Sequence, residues 1–201
     1  MSGVDYVPAL LERARRRAEA DGTTIRFVEG DAQALPFEDA SFDFLLSTIG
    51  VMFAADQEKA AAELVCVTKR GGRIALASWT PEGAVGRFFQ TVSRHVPPSP
   101  GLASPLRWGT EQGLRELFVD RAKLARATQK TVTEYFLSVE HCVDVFRRFF
   151  GPMVRAFAAL DANGQLALAA DSATLFRREN RATDGTLAMP LEYLEAVLSV
   201  N

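Results

Sequence analysis

Aspartate and hydroxyl side chains follow short apolar stretches early in this sequence, where they could bind a nucleoside. Asp5 ends the first stretch, Asp31 follows the second, and Ser47 and Thr48 end the third. In open α/β sheets, ligands bind beyond the carboxyl ends of the strands, and an acid after the second strand of a nucleotide fold accepts hydrogen bonds from both ribose hydroxyls. An aspartate after the next strand could accept from an adenine amino group. Taken singly, each aspartate could also be only a turn former.

The other candidates for chemistry are few. His95 and His141 are the only histidines, and Cys66 and Cys142 are the only cysteines. Either histidine could deprotonate a hydroxyl acceptor, but an isolated histidine is more often structural, so the catalytic residues stay unassigned. The cysteines have neither metal-type spacing nor a disulfide pattern, which predicts a reducing, cytoplasmic environment and no metal site.

Alternating strands and helices must position these residues. The apolar periodicity predicts strands at the very start and at residues 25–28, 42–48 and 73–79, with Gly71-Gly72 breaking the chain before the last of them. Helices are predicted at residues 8–20, 57–67 and 83–95. This alternation of strands and helices is typical of a parallel sheet covered by helices. Beyond the proline-rich loop at residues 97–101, the pattern predicts strands at 123–136 and 187–198, which form a hairpin-like pair separated by helices, and four helices, at 111–118, 139–150, 152–160 and 164–180.

Composition narrows the class of protein. The 201 residues are 48% hydrophobic, enough for one sizeable core, so a single domain is expected, with a cofactor-side half (1–96) and an acceptor-side half (97–201). The net charge of -2 argues against nucleic acid as the main partner. The longest mostly apolar stretch, residues 42–55, is too short to cross a bilayer, and no signal peptide is visible, so a soluble, cytoplasmic protein is predicted.

Five short motifs resemble those of class I S-adenosylmethionine (SAM)-dependent methyltransferases, in the order that the family has them. They are GVDYVPALLERA (3–14), FVEGDA (27–32), LPF (35–37), SFD (41–43) and KRGGRI (69–74). Within the family, the sequence is most similar to the small-molecule subgroup related to ubiquinone and menaquinone methyltransferases, except that Arg70 stands where proline is usual. The resemblance implies an α/β, Rossmann-like methyltransferase sheet, mostly parallel with a C-terminal antiparallel strand.

The resemblance also implies roles for individual residues, with SAM as the cofactor and a small molecule as the acceptor. Asp5, with Tyr6 beside it, would hold the ribose hydroxyls; Asp31 would accept from the adenine amino group, and the Ala32 backbone N–H would bind an adenine ring nitrogen. Ser47 would line the methionine end, with Thr48 beside it. Apolar side chains that could wall the acceptor pocket, but could equally be core residues, are Ile49, Val51, Met52, Phe53, Trp79 and Trp108.

A second and larger departure from the family concerns its cofactor-binding loop. The family's first strand ends in a glycine-rich loop, whose backbone must approach the cofactor closely. None of the 14 glycines here is separated from another by a single residue, so a G-x-G loop is absent. The first strand and helix are therefore expected to be missing, and their loss would leave two unpaired strand edges. A misplaced start or truncated gene, a fragment, and a homodimer that pairs strands across two chains remain the three explanations.

Two functions follow from this departure. The first is a SAM-dependent methyltransferase whose cofactor binding is compromised by the missing loop. The second is a non-catalytic, degenerate methyltransferase-like domain that acts as a dimer or binding module.

Overall fold

A computed structural model describes all 201 residues and contains six strands and seven α-helices. The strands are β1 (Ser2–Asp5), β2 (Arg26–Glu29), β3 (Phe42–Thr48), β4 (Thr68–Trp79), β5 (Ala122–Phe136) and β6 (Leu187–Val200). The helices are α1 (Pro8–Ala20), α2 (Gln57–Cys66), α3 (Ala84–His95), α4 (Glu111–Leu117), α5 (Val139–Phe149), α6 (Gly151–Ala158) and α7 (Ala162–Glu179), with 3-10 segments at Val51–Phe53 and Pro105–Gly109.

The strands form two separate sheets. β1 and β2 pair in parallel, and the other four follow the order β3-β4-β6-β5. The Asn201 N–H donates to the Arg121 carbonyl at 3.1 Å, and Lys130 Nζ lies 2.7 Å from Glu195 Oε2, so β5 and β6 run antiparallel. The predicted α/β architecture, with its late hairpin-like pair of strands, is confirmed. β1 and β3 do not pair with each other, so each has a free edge.

Helix α1 shows how the early sequence fixes the local structure. Pro8 occupies its first turn, where a missing N–H costs nothing. Leu11 and Ala18 are its buried residues, and Arg17 pairs with Asp21 just past its end. Gly22 follows with φ +64, the left-handed conformation that commonly ends helices. These features carry the chain from β1 back to the start of β2.

The predicted break at Gly71-Gly72 is wrong, because both glycines lie inside β4, which begins at Thr68 rather than at residue 73. Gly71 has φ +74, so the strand absorbs a left-handed residue within its length. A Cβ on Gly72 would lie 2.7 Å from the Lys69 carbonyl oxygen. The strand therefore runs through both positions, and a side chain would be strained at Gly71 and would clash at Gly72.

The chain separates into two compact units. Unit one comprises Met1–Leu76, Glu111–Ala127 and Ala196–Asn201, and unit two comprises Ala77–Thr110 and Thr128–Glu195. The core of unit one includes the fully buried side chains of Ala60, Ala61, Ile74, Leu114 and Phe118. That of unit two includes those of Trp108, Cys142, Met153, Leu168 and Leu187. Whether they form one domain, divided at residue 96, stays a prediction. None of the helices has the length and apolar character that spanning a bilayer requires.

Candidate functional site

The carboxyl ends of β1 and β2 bring the two early aspartates to one edge of their sheet. Asp5 is in register with Glu29, and the Gly30 N–H donates to the Asp5 carbonyl at 3.1 Å. Asp31 follows at once, so it leaves the sheet beside Asp5. A Cβ on Gly30 would lie 2.9 Å from Pro36 Cδ and 3.2 Å from Val4 Cγ1, so the chain turns there without space for a side chain.

The Asp5 carboxylate builds a turn with one oxygen and leaves the other available. Its Oδ1 accepts a hydrogen bond from the Val7 N–H at 2.8 Å, which directs the chain into α1. No protein group donates to Oδ2, and the residue is only partly buried. Tyr6, the next residue, is 72% exposed. A carboxylate oxygen held in place by its neighbour can accept from hydroxyl groups outside the protein.

Asp31 is fixed by Gln33, which the sequence alone did not single out. Its Oδ1 accepts from the Gln33 N–H and its Oδ2 from Gln33 Nε2, both at 2.9 Å. The backbone hydrogen bond from Gln33, followed by the side-chain one, lowers the pKa of the Asp31 carboxyl and keeps it ionised. The Ala32 N–H between them donates to no protein group, so it is available to a ligand.

The loop that carries Asp31 is attached to the region after β3. Gln33 Oε1 accepts from the Asp56 N–H at 2.6 Å, and the Leu35 N–H donates to Glu63 Oε2 at 2.8 Å. Asp56 in turn caps α2 through the Lys59 N–H. These two hydrogen bonds attach the loop, at Gln33 and at Leu35, to the segment that follows β3. No composition or spacing signal marks Gln33 or Glu63 in advance, because their roles depend on this tertiary contact.

Ser47 and Thr48 end β3, and the structure gives Ser47 a backbone role. Ser47 Oγ accepts from the Val51 N–H at 3.0 Å, which closes the turn into the 3-10 segment. Ile49 within this turn has φ 56, a left-handed conformation that β-branched residues rarely adopt and that often marks functional turns. Ser47 is partly buried and Thr48 is exposed. Their predicted contact with the methionine end of the cofactor stays a prediction.

The predicted acceptor-pocket residues differ in burial. Val51 and Met52 are 5% and 1% exposed, as core residues are, whereas Phe53 is 37% exposed. In unit two, Trp79 is 9% exposed and packs edge-to-face against Tyr193 at 6.4 Å, and Trp108 is fully buried. Of this set, Phe53 has the most surface with which to contact an acceptor. The pocket assignment stays a prediction.

The histidines and cysteines have structural partners. His95 Nε2 lies 2.9 Å from Asp171 Oδ2, and His141 Nδ1 accepts from the Leu137 N–H at 3.3 Å. Burial raises the pKa of Cys142 to about 12, so it stays a thiol. A hydrogen bond to Asp39 raises the pKa of Cys66. None of these four groups lies among the residues at the ends of β1 and β2.

The carboxyl ends of β1 and β2 therefore present hydrogen-bonding groups that no protein group occupies. These are Asp5 Oδ2 and the Ala32 N–H, which lie on either side of the ionised Asp31 carboxylate in the hydrogen-bonding pattern. None of the 201 residues forms a G-x-G loop.

Comparison with known proteins finds a methyltransferase family model over the part of the chain that contains β1 to β3, and relatives over longer stretches. A family model described as "Methyltransferase domain" matches residues 1–76. The uncharacterized protein Rv1405c of Mycobacterium tuberculosis is 37% identical over 192 residues, covering 94% of this chain and 69% of that protein. The demethylmenaquinone methyltransferase of Thermus thermophilus is 42% identical over 98 residues, covering 48% of this chain and 44% of that enzyme.

The comparison with solved structures confirms the predicted Rossmann-like methyltransferase fold. The crystal structure of a SAM-dependent methyltransferase from Methanosarcina mazei superposes with a TM-score of 0.57 at 14% identity, covering 99% of this chain and 81% of that one. The chain spans only 58% of the length of another relative, the uncharacterized protein Rv1403c of M. tuberculosis, which is 39% identical over 158 residues.

Proposed function

Because the chain belongs to the class I SAM-dependent methyltransferase family, we propose that it holds the adenosine part of SAM for methyl transfer to a small-molecule acceptor. The observation that carries this proposal is the parallel pairing of β1 with β2, in which Asp5 is in register with Glu29 and Asp31 follows two residues later at the same end of the sheet. The free Asp5 oxygen would accept from the ribose hydroxyls, and Asp31 and Ala32 would bind the adenine edge. Ser47 and Thr48 would lie toward the methionine end.

Methyl transfer from SAM requires little general acid or base catalysis from this chain. Bound SAM supplies an electrophilic methyl group on a positively charged sulfur. The residues of the chain bind and orient the cofactor, and apolar side chains such as Phe53 would exclude water from the acceptor.

The missing G-x-G loop is expected to weaken SAM binding. The residues proposed to contact adenosine are among the 201 residues, whereas a glycine-rich loop that would surround the methionine carboxylate is not. The competing function is a non-catalytic, methyltransferase-like binding module. The DNA just upstream of the start codon would distinguish the two functions. An in-frame strand followed by a glycine-rich motif there would favour the enzyme, and a stop codon there would favour the binding module.

We expect adenosine and SAM to bind this chain with similar affinities, both of about millimolar Kd, because only the shared adenosine half has a site. Titrations followed by NMR at the amides of Val7, Gly30 and Gln33 would measure both. In Asp5→Asn, the Val7 turn is kept, since an amide oxygen still accepts, but hydrogen bonds to a charged group are lost. Affinity for both ligands should fall by about tenfold.

Asp21→Asn is the matched control, since Asp21 is an exposed aspartate at the far end of α1 and pairs with Arg17. It should bind both ligands as the unaltered chain does. Micromolar SAM binding with weak adenosine binding would mean that the chain does form a methionine site. Absence of shifts at all three amides with both ligands would overturn the adenosine assignment itself.

The free edge of β3 supports the homodimer as a further part of this proposal. Phe44 and Leu46 project from the same face of this strand and are 75% and 74% exposed. Apolar edge strands with unpaired backbone groups are usually covered in stable proteins. A second copy could pair antiparallel along β3 and bury the four apolar side chains about a two-fold axis.

Leu46→Lys should therefore weaken the proposed dimer and raise its dissociation constant by about tenfold or more, since edge lysines oppose strand pairing. Sedimentation equilibrium would measure it. Leu166→Lys, at a residue that is 71% exposed on α7, is the control and should leave the dimer intact. An unaltered chain that stays monomeric at about 100 μM would contradict the pairing.

A further inference from the structure

Helices α3 and α7 pack side by side in unit two with a groove between them. Arg87 Nε and Nη2 donate to the two carboxylate oxygens of Glu179 at 2.9 and 2.7 Å, and His95 lies 2.9 Å from Asp171. These two pairs show that the helices run antiparallel, since residue numbers rise on one as they fall on the other. The groove between the pairs has a volume of about 260 Å³.

The groove carries more positive than negative charge. The side chains that line it are Arg87, Gln90, Thr91, Arg94, Asp171, Thr174, Leu175 and Arg178. Glu179 neutralises Arg87, and its side chain is only 10% exposed. Arg94 donates to the Thr91 hydroxyl at 3.2 Å and forms no ion pair. Arg178 is exposed and forms none either. Two guanidinium groups therefore face the groove without a carboxylate of their own.

The antiparallel register spaces these two groups along the groove. Arg178 lies next to Glu179 and so opposite residue 88, six residues before Arg94 on α3. Six residues of α-helix span about 9 Å. Two long side chains at this spacing can converge on one small ligand with acidic groups at both ends. Asp171 lies at the His95 end of the groove, where its Oδ2 is 2.9 Å from His95 Nε2.

We propose that this groove binds a small phosphorylated molecule, with Arg94 and Arg178 binding its acidic groups from either end. Guanidinium groups match phosphate geometry with paired N–H donors. The Gln90 amide at the rim adds a neutral polar group. The site uses none of the residues assigned to adenosine, so it does not depend on the proposed methyl transfer.

Calorimetry with sodium pyrophosphate at constant ionic strength tests this site. Pyrophosphate should bind with a submillimolar Kd and more tightly than orthophosphate, because it offers two phosphoryl groups to two arginines. Arg94→Gln and Arg178→Gln should each weaken it by about tenfold or more, since each removes charge-assisted hydrogen bonds. Both residues are exposed, so the variants should fold, which circular dichroism would check.

Arg155→Gln on α6 is the matched control, an exposed arginine outside the groove that should bind pyrophosphate unchanged. No saturable binding of pyrophosphate up to about 10 mM would overturn the proposal. Binding that all three variants weaken equally would overturn it too, because the effect would then be one of net charge.

Discussion

Gly109→Ala should lower the free energy of unfolding by about 3 kcal/mol or more, which places it among the most damaging single substitutions in the chain. A Cβ at this position would lie 1.9 Å from the Trp79 carbonyl oxygen and 2.6 Å from its carbon. These are backbone atoms at the end of β4 and cannot rotate away. The next residue, Thr80, is held by its hydroxyl, which donates to Glu192 Oε1 at 2.6 Å.

Urea unfolding followed by tryptophan fluorescence measures this directly, because Trp79 and Trp108 are the only two tryptophans and both adjoin the contact. Gly151→Ala is the matched control: it begins α6, has no atom within 4 Å of the added Cβ, and does not adopt a positive φ. Its stability should change by no more than about 0.5 kcal/mol. If Gly109→Ala were as mild, the close approach of its backbone to Trp79 would be wrong.

Most of the fold could be predicted because its signals are local. Pro8 and Gly22 bound α1 by their own backbone preferences, and apolar periodicity locates every later strand and helix. The break predicted at Gly71-Gly72 was wrong because a glycine pair usually favours a turn. In the structure both glycines are part of β4, which lies between β3 and β6 in the sheet. The two compact units could not be foreseen, since each gathers stretches far apart in the chain.

The candidate site shows the same division. The positions of Asp5 and Asp31 at the ends of two neighbouring strands could be predicted, because strand ends are visible in the sequence and parallel strands end on the same side of a sheet. The role of Gln33 in fixing Asp31 could not be predicted. It depends on hydrogen bonds of the Gln33 amide to the Asp31 carboxylate and to the Asp56 N–H, which only the folded structure brings together. Met52 and Phe53 are both apolar, so the sequence does not distinguish them. Their exposures in the structure, 1% and 37%, show that Met52 is a core residue and that Phe53 is accessible.

Phe88→Ala should be comparably severe, with a loss of about 4 kcal/mol. Phe88 is 1% exposed and lies at the centre of an aromatic cluster in unit two. Its ring lies 5.6 Å from those of Phe146 and Phe176, 6.0 Å from that of Phe150 and 6.2 Å from that of Phe89. Alanine would leave a cavity at the point where α3, α5 and α7 meet, and the surrounding rings cannot all collapse into it.

Two further variants separate burial from aromatic geometry. Phe149→Ala removes the same ring from a position on α5 that is 74% exposed, so its cost should be within about 0.5 kcal/mol. Phe88→Leu keeps much of the volume and should cost about 1.5 kcal/mol, with any excess attributable to lost ring contacts. Because α3 and α7 also form the arginine groove, Phe88→Ala should weaken pyrophosphate binding as well as stability, whereas Phe149→Ala should change neither. Equal losses of stability in Phe88→Ala and Phe149→Ala would show that the cluster is not the core of this unit.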